Sequence, residues 1–337
     1  MESSGGLSRV KKRAVKVVGI GGGTGLATLL AGLKNAIEEI SAIVTVTDDG
    51  GSSGKIRKEF NIPPPGDIRN CLVALANTEP LMAKLFQYRF PGAKDFHGHP
   101  FGNLFIMAMT RITGSFEEGV RQASKILQVH GQVIPSTLRN VVLGAEFYNG
   151  EKVFGQTKIV KKRKRIKRIF LKPAQPPAGP NVINTIKEAD VIILGPGSLY
   201  TSILPNLLVR GVSQAIADAD ALKIYVSNVM TQPGETEGYS VSDHMKAILD
   251  YLPGNIDYVL VNSDQAPRNL EERYARKGSY PVLVDKDNLR KMDVKVVGKK
   301  MVRRQFFAKH DPAKLTEAIL ELIEKGKKER RTKPVHH

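Results

Sequence analysis

One cysteine and no tryptophan among 337 residues set the first limits on this chain. A lone Cys71 excludes an internal disulfide framework and a metal site of clustered thiolates. Aromatics amount to only 6%, beside 41% hydrophobic and 25% charged residues, which is a globular composition and not that of a disordered or collagen-like chain. Apolar runs are short. Val191–Leu194 is typical, and none approaches the roughly 20 residues needed to cross a bilayer. The opening Met-Glu-Ser-Ser-Gly-Gly lacks an apolar segment of signal-peptide type. These absences point to a cytoplasmic protein without a transmembrane segment, long enough for one large α/β domain or two modest ones.

Acidic residues are also scarce, 33 against 51 basic ones, for a net charge of +18. The excess is confined to residues 1–16, 158–172 and 325–337, and the rest of the chain is neutral. Residues 158–172 alone carry nine basic side chains and no acid. A basic face built into the core would distribute its charge differently, and the run lacks the interleaved aromatics of a single-strand binder, so nucleic acid is not the expected partner. The segments 1–13 and 326–337 are expected to be flexible basic tails around a single domain of 14–325.

Ala14–Ile20 reads as a buried strand entering Gly21-Gly22-Gly23-Thr24-Gly25, after which Leu26, Leu29, Leu30 and Leu33 recur at helical spacing. Ile43–Thr47 is a second strand, ending at Asp48-Asp49-Gly50-Gly51-Ser52-Ser53-Gly54. Strand, glycine loop, helix, strand opens a Rossmann-like α/β fold with an open parallel sheet. Pro63-Pro64-Pro65-Gly66 interrupts the chain, and Asp67 is placed to N-cap a helix through Asn70 and Leu75. Helices are expected over Leu81–Tyr88, Asn103–Ile112 and Phe116–Leu127. From about 139 to 175 the pattern changes to a basic, β-hairpin-rich insertion centred on Asn149-Gly150. This insertion is expected to stand apart from any ligand site. Strands then resume at Val191–Leu194, Lys223–Val226 and Ile256–Val261, with a closing helix near Leu315–Glu324.

A glycine turn between strand and helix lets backbone N–H groups approach a phosphate. Gly22, Gly23, Thr24 and Gly25 form one such turn; Gly195, Gly197 and Ser198 form another, and both follow parallel strands, where open sheets bind ligands. Neither turn matches G-x-G-x-x-G, and Asp49–Ile56 misses the P-loop because Asp replaces its first Gly and Ile56 its last Ser/Thr. Gly195–Leu199 lacks the glycines that flank the serine of a hydrolase elbow. Asp48 and Asp49 can take ribose hydroxyls, hold magnesium beside a diphosphate, or cap the following turn. Asp67 can contact the ligand or cap its helix, and Asn70 is a further ligand-binding candidate. Asn228, Thr231 and Gln232 offer neutral hydrogen-bonding groups for sugar or base edges. Asp95, His97 and His99 lack a further partner at metal-ligand spacing, and Cys71 falls on an apolar helical face.

Three long stretches, Gly21–Leu26, Ala42–Gly54 and Pro63–Asn70, together closely resemble the gluconeogenesis factor (YvcK-like) family, within the CofD-like superfamily of 2-phospho-L-lactate transferase. His99–Leu104, Gly195–Ser202, Leu204–Leu208 and Asn228–Thr236 extend the resemblance, which runs from about Lys16 to Glu324. The sequence departs from the family pattern at Pro100, Pro233 and Lys309-His310-Asp311. The resemblance implies a Rossmann-like, cytoplasmic, UDP-sugar-binding regulatory protein, with UDP-N-acetylglucosamine the leading ligand and a role in cell shape and growth on gluconeogenic carbon. The alternative it carries is a transferase using a nucleotide-diphosphate donor with magnesium. A homo-oligomer is a further candidate partner.

Overall fold

A computed structural model of the chain describes residues 13–91, 98–265, 267–302 and 309–332. Among the described residues ten strands form two sheets: β1 (Lys16–Gly21), β2 (Glu39–Val44), β3 (Gln132–Pro135), β4 (Val142–Phe147), β5 (Lys152–Phe154), β6 (Ile166–Lys172), β7 (Val191–Leu194), β8 (Leu222–Val226), β9 (Tyr258–Asn262) and β10 (Lys295–Lys299). The large sheet has the order β10-β9-β8-β7-β1-β2-β3, and every pairing in it is parallel. The chain runs outward from β1 through β2 to β3, then returns to β7 on the other side and runs outward again. Strand order therefore reverses between β1 and β7. That reversal opens a crevice at their carboxyl ends, where open α/β sheets take their ligands.

Strands covered on both faces read as continuous apolar runs, and the alternation of their side chains separates two cores. Val18, Ile20, Ile192 and Leu194 face one layer with Val212 and Ile248. Val17, Val44, Val191 and Ile193 face the other with Leu26, Leu30, Ile68, Leu72 and Ile319. Cys71 is wholly buried in this second layer, where burial pushes its thiol well above the usual range.

The insertion forms the small antiparallel sheet β5-β4-β6, with the expected hairpin between β4 and β5. Its buried residues Leu143, Ala145, Phe147, Ile166, Ile169 and Leu171 belong to the same apolar layer as Ile20 and Leu194. It is thus a wall of the core whose outer side is basic. A helix, Gln156–Lys161, follows the hairpin where the sequence suggests only continued strand. The closing helix runs Pro312–Thr332, so residues 326–332 are helical where a tail was expected. Residues 1–12, and Asp95 and His97, lie outside the described residues.

Because Phe147 is 1% exposed, Phe147→Ala removes most of a ring from the shared core. Its expected cost is about 3–5 kcal/mol, read as a shift of the urea midpoint. A loss below about 1 kcal/mol would mark the insertion as an appendage.

Candidate functional site

The two glycine turns meet in the crevice. The helix Gly23–Leu33 starts at Gly22, directly after β1. A Cβ added to Gly25 in its first turn would lie 2.3 Å from the Pro196 carbonyl oxygen and 3.1 Å from Gly197 Cα. On Gly22 it would meet Thr45 Cγ2 at 2.6 Å and an Asp67 oxygen at 2.7 Å. Close packing thus accounts for both glycines. Gly23 differs: its φ is +64°, a conformation L side chains rarely adopt, and a Cβ there would meet only Ser202 Oγ, at 3.6 Å. That is an ordinary contact distance, so its Cα side is not closed by packing. Asn206 ties the first turn from beneath to the segment that follows the second, donating from Nδ2 to the carbonyls of Gly21, Ser202 and Ile203.

Asp67 does not cap its helix. The helix Gly66–Leu75 begins after Pro65, no side chain caps it, and Asp67 sits in its first turn. Its carboxylate instead accepts the Gly23 N–H, across the crevice floor. Burial, and after it the charge of Asp48, pushes Asp67 up to about 7, against the pull of the Gly23 N–H and Arg69. Thr24, in the first turn of the helix, is exposed.

The neighbouring acids are anchored. Asp48 Oδ1 accepts the Gly50 N–H at 2.9 Å. Asp49 Oδ1 accepts both the N–H and the hydroxyl of Thr157, at 2.9 and 2.7 Å. Thr157 opens the extra helix of the insertion, and a Cβ on Gly234 would lie 2.1 Å from the Val160 carbonyl oxygen of the same helix. The expectation that the insertion stands apart from the candidate site is therefore corrected: it is packed against two of the site's loops. Among the described residues no group of three or more His, Cys, Asp or Glu side chains is placed to hold a metal ion. Asp48 and Asp49 do not make such a centre by themselves.

On the β7–β8 side, Gln232 donates from Nε2 to Ser198 Oγ at 2.9 Å, joining the second glycine turn to the Asn228–Thr236 loop. Gln232 Oε1 and Asn228 Nδ2 are buried without a partner. Thr231 is spent on structure: it is 3% exposed, and its hydroxyl accepts the Tyr280 N–H at 2.9 Å. His310 donates to the Ser227 backbone, which places the departing Lys309–Asp311 segment beside the Asn228 loop.

Two features lie within the stretches that carry the family resemblance, and only their burial and hydrogen bonds single them out. Glu235 is buried under the second glycine turn, where it accepts from the Tyr200 N–H and the Thr201 hydroxyl, and burial pushes it up to about 7. Asn70, Arg69, Asn103, Ser52 and His99 form one hydrogen-bonded chain. Arg69 donates to Asn70 Oδ1 at 2.7 Å and to Asn103 Oδ1 at 3.0 Å. Asn103 then donates to Ser52 at 3.0 Å, and Ser52 meets His99 Nδ1 at 2.9 Å. Concavities of about 380 Å³ beside β3 and about 790 Å³ lined by Gly32 and Leu320 contain none of these side chains.

Two outcomes follow from this geometry. Gly25→Ala should cost about 1–3 kcal/mol, because its neighbours are backbone atoms; a variant as stable as the parent in urea would contradict the close approach. Asp67 and Glu235 keep their protons to about pH 7 in the native state but release them near 4 when unfolded. The native state thus binds more protons in this window, and stability falls as pH rises through it. Asp67→Asn removes one of the two contributions, so its urea midpoint should fall less between pH 5 and pH 8 than that of the parent. An unchanged slope would deny Asp67 its raised value.

Residues 17–302 match the family described as 2-phospho-L-lactate transferase CofD. The chain is 47% identical over 314 residues to the gluconeogenesis factor of Halalkalibacterium halodurans, covering 93% of this chain and 97% of that protein. It is also 47% identical over 310 residues to the gluconeogenesis factor of Bacillus subtilis, with 91% and 98% covered. A crystal structure of a UPF0052 family member from Bacillus halodurans superposes with a TM-score of 0.89 at 46% identity, covering 92% of this chain and 99% of that one. The chain therefore belongs to the CofD family, among relatives named gluconeogenesis factors.

Proposed function

We propose that this chain is a cytoplasmic nucleotide-sugar-binding regulatory protein that takes a UDP-sugar, UDP-N-acetylglucosamine first among them, and acts in cell shape and growth on gluconeogenic carbon. The observation that carries this reading is the Cα face of Gly23, not closed by packing in a turn where the glycines on either side are. A diphosphate fits such a face, close to the N–H groups left over in the first turn of the helix Gly23–Leu33. Gln232 Oε1 and Asn228 Nδ2, an acceptor and a donor without partners, suit the amide edges of a base or an acetamido sugar. Asp67 favours the same reading at neutral pH. With a carboxyl near 7 it is substantially protonated there and repels a diphosphate less than an ordinary aspartate would. The second reading, a transferase using a nucleotide-diphosphate donor, draws on the family description alone. Consumption of the bound UDP-sugar would select it.

Gly23→Val should lower affinity for UDP-N-acetylglucosamine more than tenfold by calorimetry. Gly114→Val is the control, since Gly114 also has a positive φ, +80°, with nothing within 4 Å of an added Cβ, and ends the helix Phe101–Thr113. Equal losses in both variants, or none at Gly23, would refute the assignment.

A further inference from the structure

Ser52 lies in the first turn of the ten-residue helix Gly51–Phe60 and is only half-buried, whereas the groups behind it are not accessible: Arg69 is 8% exposed, His99 7% and Asn103 1%. A guanidinium can only donate, so the Asn103 oxygen faces Arg69 and its NH₂ faces Ser52. Ser52 Oγ lies 2.9 Å from His99 Nδ1, and the direction of that bond follows the histidine tautomer. In the tautomer with the ring proton on Nε2, the serine hydroxyl donates to a bare Nδ1. Burial, then Lys55, keeps His99 below the usual histidine range against the opposing pull of Glu59. It is therefore neutral, and able to take a proton, at pH 7.

We propose that Ser52 and His99 are a nucleophile–base pair, and that Ser52 accepts a phosphoryl group from an activated phosphate ester or anhydride. A hydroxyl within hydrogen-bond reach of an oriented base is the arrangement that activates serine, and a helix N-terminus favours the negative charge that develops on Oγ. In the step, Oγ attacks phosphorus and its proton passes to His99 Nδ1. The P–O bond to the leaving group breaks, and the leaving oxygen departs with the electron pair and is protonated by solvent. This goes beyond sugar-nucleotide binding and does not require it.

The test uses the full chain and a fluorophosphonate probe. The Oγ–P bond forms, the P–F bond breaks, fluoride leaves with the electron pair, and the hydroxyl proton goes to His99. Intact-mass and peptide analysis should show one adduct, on Ser52, with neighbouring Ser53 (4% exposed) untouched. Ser52→Ala should abolish the adduct, and His99→Gln should slow labelling by at least about a hundredfold. The parent's labelling rate should hold from pH 8 to below 6.5 and fall only at lower pH, as His99 becomes protonated; this profile needs no variant to fold. Absence of a Ser52 adduct, a rate that His99→Gln leaves within threefold, or a rate that tracks hydroxide across this range would each overturn the proposal.

Discussion

The helix that leaves β1 comes so near the turn that leaves β7 that a methyl group on Gly25 would sit 2.3 Å from the Pro196 carbonyl oxygen. This contact lies where the strand order reverses, so the crevice and the mutual support of its walls have one origin. Asn206 repeats the constraint from below, its amide joining the Gly21 carbonyl to those of the segment that follows the second turn. With the backbones this close there is no space for Cβ atoms, and a glycine-rich sequence is required before any ligand is considered. The freedom left over, at Gly23, is then informative because its neighbours have none.

The basic insertion takes on a different character once packing is considered. Its sheet contributes Phe147 and Leu171 to the central core, and its short helix is fastened to the site through Thr157 and Val160. Its charge is also partly answered locally. Glu146 pairs with Lys167 and Arg168, and Glu151 with Lys162 and Lys164. The exposed Glu151 pairs contribute little stability individually, whereas Glu146 is itself buried, and both acids place the cations along the outer face. Charge arithmetic on the sequence identifies an insertion; its attachment comes from apolar residues spaced between those charges.

Much of the fold is legible because its signals are local. Val191–Leu194 is a buried strand by its unbroken run, and Asn149-Gly150 marks the β4–β5 hairpin by turn chemistry. What remains hidden depends on contacts between distant segments. Asp67 has every local attribute of a helix cap, yet its carboxylate turns to the Gly23 N–H, a partner supplied by tertiary structure. Thr231 looks like a ligand group until the segment around Tyr280 folds back and occupies it. The Arg69–Asn103–Ser52–His99 chain joins residues up to 51 positions apart, and no spacing rule connects them. Glu235 is one of several polar residues in its loop, and only burial singles it out.

The helix Pro312–Thr332 begins ten residues after the family match ends at residue 302. Yet Leu315, Ile319, Leu322 and Ile323 are at most 4% exposed and share a core with Leu26 and Leu30. Gly32 fits against the first turn of that helix, where an added Cβ would lie 2.4 Å from the Pro312 carbonyl oxygen. The span matched by the family model therefore ends before the core does. A fragment trimmed to the matched span would bare an oily seam along the back of the helix that carries the glycine turn, and would be expected to clump before its binding could be measured.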